Sequence, residues 1–205
     1  MDIQPDNLVR FGSSYTKSEQ PVTLAAVPGP PIALRWGTLA LADPWFPEML
    51  PENQVIGLGQ GEKRTLLSTI DVQRGERVQT IACAVAIGQV DDVATWQPLV
   101  HDEAHFHLDS DSALGAFYDI TDGPALRPLF ENDQHMQQVY NQALEERIVT
   151  MEVDGRVAAV VFLCPDGSGL YPAYAGVDKE MQAVAVLVDL KLLDDAEPVS
   201  ERAPQ

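Results

Sequence analysis

Positive charge is scarce in this sequence. Thirteen Lys and Arg stand against 31 Asp and Glu, for a net charge of -18. A surface so negative repels phosphate backbones and anionic headgroups, so neither nucleic acid nor membrane is expected as a partner. Basic patches interleaved with aromatic residues, the usual footprint of a nucleic-acid binder, are missing as well. The acidity itself has two readings. It can serve solubility alone, or it can steer a basic protein partner onto the surface.

Cysteine is scarcer still. Cys83 and Cys164 each lie inside an apolar run, at 81–87 and 157–164. Buried free thiols are expected there, with a disulfide or a ligand pair as the alternative. No staple is required, because a chain of 205 residues buries roughly 70% of the surface its unfolded form exposes. Those two apolar runs are the longest, and both are far too short to span a bilayer. Met1 to Asp6 has neither a basic stretch nor an apolar one, so no signal peptide is read and a cytoplasmic location is expected.

What is there reads as strands more than helices. The first 20 residues are polar and mixed, and are expected to form a flexible arm; 21–193 are read as a single domain and 194–205 as a disordered tail. Two apolar, β-branched runs at 64–72 and 77–87 flank Gln73-Arg74-Gly75-Glu76, a hairpin signal. The run 81–87 has no polar alternation and so predicts a central strand covered on both faces, with alanines small enough for a helix to pack close. Asp154-Gly155 between 147–153 and 156–164 is the strongest hairpin signal in the chain. Further strands are predicted at 170–177 and 181–190, and shorter ones at 22–27, 32–42 and 54–58.

Two helices are predicted between these strands. Thr121 or Asp122 can cap the first, with Pro124 in its opening turn, where a missing N–H costs nothing. Asn132 can cap the second, in which Met136, Val139, Tyr140, Ala143 and Leu144 form a one-sided apolar stripe. Hairpins outnumber crossovers, so the expected fold is α+β: a mostly antiparallel twisted sheet with about two helices packed on it.

Three segments share a pattern with a known family. They are Gly37-Thr38-Leu39-Ala40-Leu41-Ala42-Asp43-Pro44, the stretch from Asp109 to Asp119, and Asp166-Gly167-Ser168-Gly169-Leu170-Tyr171-Pro172-Ala173-Tyr174-Ala175-Gly176-Val177-Asp178 followed by Leu187-Val188-Asp189-Leu190. Together they resemble the bacterial family of unknown function DUF4241 over 32–190. The resemblance implies a shared fold and a bacterial cytosolic setting, and it implies no catalytic residue.

His105-Phe106-His107-Leu108-Asp109 is the most chemical-looking cluster. On a strand, period two places His105, His107 and Asp109 on one face, with His101 near. Two imidazoles and a carboxylate make a three-ligand site for zinc or iron with an open position, and a metal-assisted hydrolase is the alternative function. The competing reading is a solvated strand face, and no stoichiometric metal and no cofactor are expected. Asp109, Asp111, Asp119, Asp166, Asp178 and Asp189 sit at turns or strand ends, where Asp more often bonds the backbone than does acid–base work. No nucleophile elbow, calcium loop or phosphate-binding loop is present; Gly57-Leu58-Gly59-Gln60-Gly61 has no Lys-Ser/Thr after it. The leading expectation is therefore an acidic binding protein, of the immunity or inhibitor type, that neutralises a basic bacterial toxin or effector. Its partner-binding residues are expected among Asp91, Asp92, Asp102, Glu103, Asp109 and Asp111.

Overall fold

The computed structural model describes residues 4–46, 55–101 and 104–199. In chain order these form helix α1 (Pro5–Leu8), then β1 (Ser14–Lys17), β2 (Gln20–Thr23), β3 (Ala25–Pro28), β4 (Ile32–Leu34), β5 (Thr38–Ala42), β6 (Val55–Gly57), β7 (Gly61–Lys63), β8 (Thr65–Arg74) and β9 (Arg77–Gly88). A 3₁₀ turn (Val90–Asp92) leads to β10 (Thr95–Pro98), β11 (Val100–His101), β12 (Ala104–His105), β13 (His107–Ser110) and β14 (Leu114–Asp119). A second 3₁₀ turn (Ile120–Asp122) precedes α2 (Gly123–Phe130) and α3 (Asp133–Glu146). The chain closes with β15 (Ile148–Val153), β16 (Arg156–Leu163), β17 (Gly169–Val177), β18 (Ala183–Asp189) and β19 (Glu197–Pro198).

The antiparallel α+β class is as expected, but the strands form several sheets instead of one. The largest runs β10-β17-β18-β9-β8-β3, with β13 also on β17; a second runs β15-β16-β14-β5-β6; β19-β1-β2 and the pairs β4-β7 and β11-β12 complete the set. The reason lies in β9, β18 and β16, which are apolar on both faces and so need cover on both. One face of β9 and β18 (Val85, Ile87, Val186, Val188) shares a core with the second sheet. The other face (Cys83, Ala84, Ala86, Leu187) packs under Leu8, Tyr15, Val22, Leu192 and Leu193. The cover on the β9 alanines is thus made by the chain's two ends, not by a long helix. The far side of β16 takes α2 and α3 through Leu126, Phe130, Met136, Val139 and Ala143, all buried in the same core. A shift of register between Ser68 and Thr69 leaves Cys83 as an extra residue, which turns Cys83 and Ala84 to the same side.

Local chemistry explains the turns. Arg74 pairs with Arg77 across a turn where Gly75 has φ +64, and Val153 pairs with Arg156 across Asp154 (φ +52) and Gly155 (φ +73). Two positive φ values in a two-residue turn match the right-handed twist of the flanking strands. Asn132 caps α3 by accepting from the His135 N–H at 3.0 Å. Two details differ from expectation. Leu144 is exposed, because the buried face of α3 is the narrower row Met136, Val139 and Ala143 and Leu144 lies to its side. Asp122 precedes α2 without capping it, its side chain being held elsewhere.

The described parts of the terminal segments pack onto the rest of the chain. Leu8 and Tyr15 are buried, β1 pairs with β2 and β19, and Ala196 is buried beside them. Sparse apolar residues in a polar stretch carry no periodic signal, yet each finds a place on a face that must be covered. Residues 200–205 lie outside the described residues.

Candidate partner-binding surface

Strand β17 is the ruler for the expected binding residues. β10 pairs with its C-terminal half, Thr95 opposite Val177, and β13 with its N-terminal half, Asp109 opposite Leu170. Ala173 marks the junction, accepting from Leu99 N–H at 2.9 Å and donating to Phe106 O at 3.2 Å. Leu170 and Val177 are seven residues apart, about 23 Å of strand. Asp91 and Asp92, just before β10, therefore lie at one end, and Asp109 and Asp111 at the other. Asp102 and Glu103 lie outside the described residues.

At the first end the tertiary structure adds partners the sequence did not pair. The 3₁₀ turn Val90–Asp92 faces the turn between β17 and β18, and the two enclose a cleft of 430 Å³ lined by Asp91, Asp92, Asp178, Lys179 and Glu180. Four acidic residues and one lysine thus line it. Gly88 places the first turn: its φ is +114, and a Cβ there would collide with the Val184 carbonyl. Gln89 N–H then donates to that carbonyl at 2.9 Å. Asp178 shapes the second turn, one carboxylate oxygen accepting from Glu180 N–H and Gln182 N–H, each at 2.9 Å. Next to Glu180, Met181 is held at φ +62 with 63% of its surface exposed. An unbranched apolar side chain at positive φ on an exposed tip is uncommon.

At the other end, Asp109 is exposed. The N–H groups of Asp111 and Ser112 donate to one oxygen of the buried Asp43 carboxylate at 2.8 Å each, while the Ser112 hydroxyl (2.6 Å) and Trp45 N–H (2.9 Å) take the other. Burial pushes the Asp43 carboxyl above its ordinary value, against those hydrogen bonds. Asp43 is thereby a clamp between the end of β5 and the turn before β14.

His105 and His107 do come together. Their ring centroids are 4.7 Å apart, and the His105 ring meets Tyr174 edge-on at 5.3 Å. Asp109 does not join them: among the described residues no three His, Cys, Asp or Glu side chains are grouped to hold a metal ion.

A third carboxylate cluster was not visible as such in the sequence. Asp122 is 1% exposed and receives the guanidinium groups of both Arg35 and Arg156. Burial alone would raise its carboxyl; the hydrogen bonds and charge of Arg156, with those of Arg35, outweigh that and hold it below the ordinary value. Asp119, also buried, accepts from the backbone N–H of Arg35 at 2.5 Å and from Thr121 N–H at 2.8 Å. Nothing in the sequence paired them: Arg35 lies inside one predicted strand and Arg156 opens another, 121 residues on. Cys83 and Cys164 are free thiols in separate clusters, as expected of buried cysteines. Burial, with the Asp189 charge, pushes Cys83 up to about 12, and burial raises Cys164 further, so neither is poised as a nucleophile.

Among the described residues no helix is long and apolar enough to cross a membrane. Comparison with protein-family models, with curated proteins and with solved structures finds no match.

Proposed function

We propose that this chain is an acidic binding protein whose cleft between Asp91-Asp92 and Asp178–Glu180 receives a basic protein partner, in the manner of a cytoplasmic immunity or inhibitor protein. The observation that carries the reading is the cleft itself: two segments far apart in sequence present four carboxylates against one ammonium, on a backbone fixed by Gly88 and Asp178. A field of this sign concentrates a cationic surface and speeds its docking. Met181 adds an apolar contact at the rim, the combination of anchor and charge that recognition sites use.

The test begins with the product of the neighbouring gene, purified and mixed with this chain. Association rates are measured at two salt concentrations for the parent chain, for an Asp91→Lys, Asp92→Lys, Asp178→Lys triple variant, and for Asp109→Lys with Asp111→Lys. A basic toxin whose association is slowed about tenfold or more in low salt by the cleft variant alone supports the reading. Equal rates for parent and cleft variant would sink it, leaving the charge as a solubility device.

A further inference from the structure

His105 and His107 flank the buried Phe106, so both rings stand on the same side of the strand that lies along β17. Each ring commits one nitrogen to a main-chain carbonyl. His105 Nε2 lies 2.9 Å from Ala173 O, and His107 Nδ1 lies 3.0 Å from His105 O. A carbonyl oxygen only accepts, so both of those nitrogens carry the proton. In a neutral imidazole the remaining nitrogen is then bare: Nδ1 of His105 and Nε2 of His107 are both lone pairs. A ring whose one N–H is fixed by a carbonyl and whose other nitrogen is free to donate electrons is the arrangement seen in metal-ligating histidines.

The ring separation agrees with two ligands on one ion. An imidazole nitrogen sits about 2.0–2.1 Å from zinc, which puts the ring centroid about 3.2 Å from it; at a ligand angle of about 90–110° two such centroids lie about 4.5–5.2 Å apart. The observed 4.7 Å falls within that span. Both residues are half-buried, and neither bare nitrogen is among the buried side-chain atoms left without a partner.

We infer that His105 and His107 form a two-imidazole site for a borderline divalent transition ion, of the class of Zn²⁺, Ni²⁺ or Cu²⁺. Among the described residues these two imidazoles are the protein ligands, and the other positions are open to water or an added small ligand. Such a site is open and exchanges its ion readily, unlike the closed four-ligand sites that hold structural zinc. The inference is independent of the acidic cleft.

The full chain, dialysed against EDTA and then freed of it, is titrated calorimetrically with NiCl₂ and separately with ZnCl₂. The parent is expected to bind one ion, His105→Ala and His107→Ala each to bind about tenfold more weakly or worse, and His135→Ala on α3 to bind as the parent does. His105→Ala also loses its bond to Ala173, so a second measurement needs no variant: sub-stoichiometric Cu²⁺ should broaden the His105 and His107 ring resonances of the parent before those of His135. No ion bound by the parent, unchanged affinity in both variants, or earlier broadening at His135 would each overturn the site.

Discussion

Asp122 and the Asp91, Asp92, Asp178 and Glu180 group use one chemistry in opposite ways. Asp122 is buried, and two guanidinium groups neutralise it. The cleft carboxylates line an open cleft, with Lys179 alone to balance them. A buried charge is tolerated only when paired, and removing its partner leaves an uncompensated cost. An exposed like-charged group contributes little to folding, and its field remains available to a ligand. Negative charge in this chain therefore has two jobs, separated by burial and not by residue type.

Asp122→Ala tests the buried side and should show the largest effect. It should cost about 3 kcal/mol, below the upper range for a buried pair because both arginines can regain water. Chemical denaturation of the two proteins measures it. Asp43→Ala, which strands the Asp111, Ser112 and Trp45 N–H groups, should cost about 2 kcal/mol by the same measurement.

Acid separates these two carboxylates by sign. The Asp122 carboxyl is depressed in the folded state, so its stabilisation is present above the unfolded value of about 3.9 and is lost as pH falls through the folded value. The Asp43 carboxyl is raised, so its contribution is full below that unfolded value and is lost as pH rises through the folded one. Between pH 6 and pH 3, about the range that brackets the unfolded value, Asp122→Asn should lose less stability than the parent and Asp43→Asn should lose more. Equal pH profiles for all three proteins would refute both assignments.

The smallest effect on folding belongs to the cleft. Reversing Asp91, Asp92 and Asp178 to Lys relieves mutual repulsion, though Asp178→Lys also removes an acceptor for two backbone N–H groups. The melting temperature should stay within about 4 °C of the parent. A larger fall would mean that these carboxylates serve the fold, and the contrast with Asp122 would fail.

Local rules carried much of this fold. The hairpins at Gly75 and Asp154-Gly155, the Asn132 cap and the two-sided burial of 81–87 follow from φ preferences, capping and lack of alternation, all legible in a short window. His105 and His107 sharing a face followed from period two alone. Long-range packing was not legible. Leu8 and Tyr15 looked like an arm because their partners, around Cys83 and Leu187, lie far along the chain. Asp91 and Asp109 looked like one acidic segment, and β17 holds them apart. Asp178 looked like a turn residue, and the fold brings it to Asp91.

The sequence by itself determined the sign of the surface, the antiparallel class and the positions of the turns, because charge, pattern and backbone preference are properties of neighbours. Only the tertiary structure decided how the strands divide into sheets, which carboxylates are paired and which line a cleft, and which nitrogen of each histidine is bare. Those depend on which distant groups meet, and a carbonyl such as Ala173 O can fix a tautomer only once the fold has brought it within hydrogen-bonding distance.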